Sequence, residues 1–378
     1  MSEPDILARV ARGVATFESA DWDRCAGDAN PFTTHAFLAA LEDSGSVGPG
    51  TGWQPAPVAI DGGDGRPAAL LPAYVKSHSQ GEYVFDHAWA DAYERAGGDY
   101  YPKLQIAVPF TPVPGRRLLT AEAALAPALI RAAEALVLQN GLSSAHATFI
   151  DPQEVEPFER AGWLIRIDTQ FHWLNDGYAS FDDFLASLSS RKRKAIRKER
   201  AAALEGLEVR LLRGSEIGEA HWDAFWAFYQ DTGSRKWGRP YLTREFFSLL
   251  GERLGERLLL VMAYRGTQPV AGALNLIGAD ALYGRYWGTL TDAPGLHFEL
   301  CYYQAVEWAI AHGLARVEAG AQGEHKLSRG YRPVPTFSAH FFADARLRDA
   351  VADFLEVERR AALREIAALG DFTPFRRG

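Results

Sequence analysis

Cysteine is nearly absent from the 378 residues: Cys25 and Cys301 stand alone and far apart. Such a pair builds neither a disulfide framework nor a cysteine-based metal site, and a reducing cytoplasm is the expected compartment. No apolar run approaches the roughly 18 to 20 residues that a membrane-spanning helix needs. The opening stretch, MSEPDILARVARG, scatters charges where a signal peptide carries an unbroken apolar segment. An excess of positive charge is missing too, since 48 Asp and Glu outnumber 40 Lys and Arg for a net charge of −8. Affinity for nucleic acid or an anionic membrane therefore has to come from a local patch. The apolar content is ordinary and the length is enough for two cores.

What the chain does have is an internal copy of itself. ADWDRCAG at 20–27 matches AHWDAFWA at 220–227, and PFTTHAFLAAL at 31–41 matches PYLTREFFSLL at 240–250. In the second pair a Thr (Thr34, Thr243) stands where a helix N-cap belongs, just before helical periodicity starts. RPAALLP at 66–72 matches QPVAGAL at 268–274, each a turn into a strand and each preceded by another strand. Trp89 and Trp287 pair at an offset of 198, and a strand is expected at both. Farther on, LVLQNGLSSAHATFI at 136–150 matches WAIAHGLARVEAG at 308–320 at an offset of 172. Gly141 and Gly313 are there the expected helix-ending glycines. AGWLIRI at 161–167 matches RGYRPVP at 329–335. Each half reads as strand, two helices, three strands, helix, strand, short helix or loop, strand.

The drop in offset from 198 to 172 places about 26 extra residues in the first copy, at about 90–117, expected as a loop that covers a site. The expected division is 1–174 for the first copy, 175–345 for the second and 346–378 for a C-terminal helix and tail. Residues 180–204 read as a helix opened by a Ser180/Asp183 capping box. Within it Arg191 to Arg200 holds seven cations in ten residues, either a solvated face or a seat for an anionic ligand.

The repeated unit resembles the GNAT acyltransferase fold, and its duplication resembles the Fem-like branch of that superfamily. YYPKLQIAVPFTPVPG, RYWGTL, LHFELCYYQAVEWAI and EAGAQGEHKLSRGYRPV resemble the FemAB-like family associated with peptidoglycan biosynthesis or recognition. The resemblance implies an α/β fold with mixed sheets, a tandem duplicated GNAT-like module. It also implies that the fourth and fifth strands of a unit splay apart around an acyl donor. The donor's pyrophosphate would meet backbone N–H groups at the following helix, which suits an anion. Arg285-Tyr286-Trp287-Gly288 supplies the first half of the usual glycine signature there, and the second glycine is absent. Fem ligases carry a long helical arm, for which this chain has only the 180–204 segment.

The second copy departs from the first where chemistry would sit. FIDPQEVEPFERAGW in the first copy is an ordinary strand–helix–strand junction, whereas EAGAQGEHKLSRGY in the second crowds ionisable groups behind a core strand. Acyl transfer to an amine needs a base near neutral pKa and donors for the oxyanion. Glu318, Glu324 and His325 are the candidate catalytic bases. Gln322, Lys326 and Arg329 are candidate substrate contacts, and so are Arg285, Trp287, His297 and Glu299 upstream. Alternation puts Arg285 and Trp287 on one face of their strand and Tyr286 on the other. Tyr101 and Lys103, in the extra segment, are expected to reach over the second copy's pocket. Lys236-Trp237-Gly238-Arg239 is another cationic-aromatic cluster. A Cys301 nucleophile beside His297, or a metal on His297, Glu299 and His325, are minor alternatives.

The expected activity is N-acyl transfer to an amine of a cell-wall, peptide or lipid precursor by direct attack. No bound cofactor or metal is expected, and acyl-CoA or aminoacyl-tRNA would be the co-substrate. The alternatives are a non-catalytic binding protein for such a precursor and a tRNA-dependent aminoacyl ligase using the basic helix.

Overall fold

The threonine caps expected from the repeat are made. Thr34 accepts from the Phe37 N–H and Thr243 from the Phe246 N–H, one at the start of each second helix. The computed structural model describes residues 7–237, 240–320, 323–372 and 374–376, and the side chains of 234–237 and 324 lie outside that description. The first half runs β1 (Ala8–Val10), α1 (Ser19–Ala26), α2 (His35–Asp43), β2 (Trp53–Pro55), β3 (Val58–Asp61), β4 (Pro67–Leu71), β5 (Ala73–Lys76), α3 (His87–Arg95), β6 (Lys103–Ile106), β7 (Leu119–Thr120), α4 (Ala126–Gln139), β8 (Ser144–Ile150), α5 (Val155–Arg160) and β9 (Leu164–Leu174). The second runs α6 (Phe181–Ser187), α7 (Ser190–Ala203), β10 (Glu208–Leu212), α8 (Glu219–Trp237), α9 (Arg244–Leu254), β11 (Leu258–Arg265), β12 (Gln268–Ile277), β13 (Ala281–Thr289), α10 (Leu296–Phe298), a π turn (Glu299–Tyr303), α11 (Gln304–Ala311), β14 (Arg316–Glu318), β15 (Arg332–Phe342) and α12 (Ala345–Asp371).

The chain forms two units. The first extends to Asp168 and adds Pro335–Arg364; the second is Thr169–Val334 with the chain from Glu365 onward. The boundary expected at 174/175 is thus displaced, because each unit takes its last strand from the other half. In the first unit β15 pairs antiparallel with β8, His340 opposite His146. In the second β9 pairs antiparallel with β14, Trp173 opposite Val317 and His172 opposite Glu318. The expected C-terminal helix is present as α12, and most of it belongs to the first unit.

In the first unit the strands that are long in the second are broken at Pro57 and Pro72, which lack the N–H a ladder needs. Two sheets result, β1-β3-β4-β7 and a second containing β2, β5, β6, β8 and β15. Trp89 lies in helix α3 and not in a strand, so its pairing with Trp287 is corrected. The counterpart of β13 is β6, which runs parallel to β8 from Leu104↔Ala145 to Ile106↔Ala147. The extra segment at 90–117 is therefore no single cover loop, since a buried core strand divides it.

The second unit packs both faces of its sheet. Phe246, Phe247 and Leu250 of α9 are fully buried on one face, each contributing roughly 2 kcal/mol by burial. Leu300, Ala305, Val306 and Ala309 pack with Leu282 and Val317 on the other. The helix expected over 180–204 is two helices, α6 and α7, broken at Leu188 and Ser189. Ser180 caps α6 by accepting from the Asp183 N–H, while the Asp183 carboxylate takes the Ala179 N–H, one residue away from a reciprocal box.

Candidate functional site

The two units treat their parallel strand pair differently. In the second, β13 and β14 pair from Ala281↔Arg316 to Tyr283↔Glu318 and then part, and β13 continues to Thr289 without β14. The β12–β13 register slips here, with Leu274 opposite Tyr286 and Asn275 opposite Gly284, which leaves Arg285 as a bulge residue. In the first unit the chain leaves β6, loops back, and Gly115 bridges Ile150 beyond the paired stretch. The Arg117 guanidinium, fully buried, then donates to the carbonyls of Thr148, Gly115 and Val113. The gap that stays open in the second unit is filled by backbone and Arg117 in the first.

A cavity of about 80 Å³ occupies the open gap, with Asn275, Arg285, Trp287, His297, Cys301 and Tyr302 among its lining residues. Residues packed on both faces of the sheet line it. Tyr286, also in its wall, packs against Tyr229 and Phe247 on the α8–α9 side, while Tyr302 and Leu300 belong to the core on the α11 side. The bulge brings Arg285, Tyr286 and Trp287 all to the cavity, where simple alternation separates them. The π turn at Glu299–Tyr303 shifts the helix register so that His297, Cys301 and Tyr302 share this wall. Trp287 and Tyr302 flank His297 with ring centroids at 5.2 and 5.3 Å, and the Tyr302 hydroxyl lies 3.1 Å from His325 Nε2. Burial holds the Tyr302 phenol well above its usual range, so it stays protonated.

Glu318 ends β14 at the fork. Its neighbour Val317 faces the α11-side core, so Glu318 turns to the other face, in register with Tyr283 and His172. Arg316 Nε donates to Oε1 at 2.8 Å, and Oε2 has no hydrogen-bond partner among the described residues. Burial pushes the Glu318 carboxyl up to about 7 against the pull of Arg316. His172 Nε2, 3.8 Å from Oε2, is held down to about 3 by burial and is neutral.

Of the residues expected to act, Arg285, Trp287 and His297 line the cavity, and His325 stands at the Tyr302 hydroxyl. Lys326 is buried, donates to the Gly320 carbonyl at 2.8 Å, and is lowered by burial to about 7. Glu299 is fully buried and faces Arg200 and Gln304, so it is no substrate contact but the anchor of α7. Arg329 is likewise occupied, paired with Glu199 at 2.8 Å and stacked 3.4 Å over Phe298. Lys103 is buried inside the first unit on Glu82, Asp86 and Ser79, and the Tyr101 hydroxyl also meets Ser79. Neither is presented as a cover for the second copy's pocket: a buried ammonium with two carboxylates is already neutralised. Gln322, Gly238 and Arg239 lie outside the described residues, as do the side chains of Glu324, Lys236 and Trp237. Asn275 was not anticipated, although a lone polar letter in the apolar run VAGALNLIG is itself a signal.

Of the seven cations in 191–200, Arg197 pairs with Asp182, and Arg200 with Glu299 and Glu307. The other five have no carboxylate partner among the described residues. A wider groove of about 630 Å³ lies at Gly214–Ile217 and Ser248–Arg257. It is open surface, and its Glu219 and Ser248 are already tied to Arg244. Among the described residues no three metal-ligating side chains come together, and no helix is long and apolar enough to cross a membrane.

A family model described as FemAB-like, peptidoglycan biosynthesis/recognition, matches residues 13–377. The sequence matches no curated protein. Among solved structures, FemX is similar at 11% identity and a TM-score of 0.55, over 89% of this chain and 98% of that one. L-PGS from Bacillus licheniformis is similar at 11% identity and a TM-score of 0.52, over 88% of this chain and 98% of that one. At these identities the likeness speaks for the fold alone, an α/β architecture with mixed sheets.

Proposed function

The chain belongs to the FemAB-like family, and from that premise we propose that it is an N-acyltransferase acting on an amine of a cell-wall or lipid precursor. The observation that carries this reading is the fork of β13 and β14, open in the second unit and filled in the first. The donor's acyl carbonyl lies in the gap between Gly284 and Ala319, its body on the α10–α11 side. The acceptor amine comes from the face that carries Glu318. Nitrogen attacks the carbonyl carbon, a C–N bond forms, and the bond to the donor's sulfur or oxygen breaks. Glu318, held near neutral pKa, takes the amine's proton. The protonated Tyr302 hydroxyl gives one to the leaving atom. Holding both substrates across one strand gap supplies the proximity such a reaction needs.

The donor is an acyl-CoA or an aminoacyl-tRNA. Both are rich in phosphate, and the five uncommitted cations of α7 offer a local, salt-sensitive attraction in an acidic protein. The test is a transfer assay with labelled acyl-CoAs and aminoacyl-tRNAs against peptidoglycan-stem and aminolipid amines. Turnover with one donor class is expected, lowered at least about 100-fold in Glu318→Gln while donor binding persists. Binding with no turnover for any donor would make the protein a recognition module instead.

A further inference from the structure

Asn275 sits in the middle of β12 and is fully buried. Its amide orientation is set by its neighbours: Nδ2 donates to the carbonyls of Leu259 at 3.2 Å and Ala273 at 3.4 Å. Two acceptors on one side fix which end is nitrogen. Oδ1 is therefore the other end, and it has no hydrogen-bond partner among the described residues. A buried acceptor left bare is destabilising, and an apolar residue of similar size would avoid that cost among the neighbouring Ala273, Leu274, Leu276 and Ile277 of the strand. Asn275 is part of the cavity wall. The residue opposite it is Gly284, where a Cβ would come 3.4 Å from Oδ1. A side chain there would fit and would cover the oxygen.

We infer that Asn275 Oδ1 is a specificity determinant, accepting a hydrogen bond from a small acyl group that carries a neutral O–H or N–H donor beside its carbonyl. The inference rests on the transferase reading and names the class of acyl group it moves. Size follows from the cavity. At about 80 Å³ it has roughly half the room of an engineered cavity of about 150 Å³ that takes benzene. It suits a group of a few heavy atoms. The charge follows from the walls. Arg285 lines the same cavity. An ammonium entering it would lose its water beside a guanidinium, so an amine enters in its unprotonated form. A hydroxyl enters as it is. The shared chemistry is a hydroxyacyl or aminoacyl group of two or three carbons, and a plain acetyl or propionyl group leaves Oδ1 bare.

Three amides of matched size separate the cases without any catalytic step: lactamide, alaninamide and propionamide, titrated into the full chain by ligand-observed NMR. Lactamide, alaninamide or both bind about tenfold or more tighter than propionamide, the value of one hydrogen bond to a buried acceptor. A preference for lactamide alone names the hydroxyl, and for alaninamide alone the amine. Asn275→Leu abolishes the discrimination, and Gly284→Ala, which keeps the Asn275 amide in place, weakens the favoured amide about tenfold. Equal binding of all three to the native protein overturns the inference, since the cavity then holds only water. So does discrimination that survives in both variants. Because the readout is binding, the inference can stand if the transfer assay fails, and can fail if transfer is found.

Discussion

In the proposed reaction Glu318 is the base, and its pH behaviour follows from its burial. With its carboxyl raised to about 7, it is protonated and useless as a base in mildly acidic solution. kcat/KM is expected to climb with pH through about 7 and level off above, and Glu318→Gln to be low and flat. The same shift has a stability sign. An unfolded glutamate ionises near its ordinary value, so from there to about 7 the native state holds a proton that the unfolded state has lost. Stability attributable to this group therefore falls as pH rises through that window. Urea unfolding of the native protein and of Glu318→Gln at pH 5 and pH 8 checks it: the native protein loses more stability between the two. The ionisable letters crowded behind a core strand pointed to Glu318 and His325, which the fold places at the end of β14 and beside the Tyr302 hydroxyl. The roles of Glu299 and Arg329 were not legible in the sequence, because only the packing of α7 shows that Arg200 and Glu199 already occupy them.

Among elements, β13 depends on a glycine that resembles a nucleotide-binding one and serves packing. A Cβ on Gly288 would lie 2.1 Å from the Phe228 carbonyl oxygen of α8, which is backbone and cannot move aside. Gly288→Ala is expected to cost about 3 kcal/mol through overpacking and to lower the melting temperature by roughly 5–10 °C. An unchanged melting temperature with weakened donor binding would assign Gly288 to the donor instead. Element order was legible wherever caps and helix-ending glycines recur: Gly141 and Gly313, at φ of 65° and 66°, end equivalent helices as the repeat implies. The Trp89–Trp287 match misled because one shared aromatic letter carries no period. The true counterpart, β6, is only four residues inside a Tyr- and Pro-rich stretch, where no alternation can be counted. The bulge at Arg285 and the π turn at Glu299–Tyr303 leave no local pattern either, and they aim the cavity's side chains.

For the whole molecule, duplication was legible and the exchange of last strands was not. β9 and β15 align with each other in the repeat, and each pairs with a strand of the opposite half, Trp173 with Val317 and His340 with His146. The duplicated parts have diverged in one respect that matters: the first unit fills its strand fork with Gly115 and Arg117, and the second leaves the fork open beside Glu318. The central claim is that this second fork holds the transferred group. A crystal structure of the protein with a non-reactive donor analogue tests it most directly. The analogue's acyl carbonyl is expected between Gly284 and Ala319, within hydrogen-bonding reach of the Tyr302 hydroxyl. An analogue bound in the first unit, or in the groove along Ser248–Arg257 with the fork empty, would contradict the account.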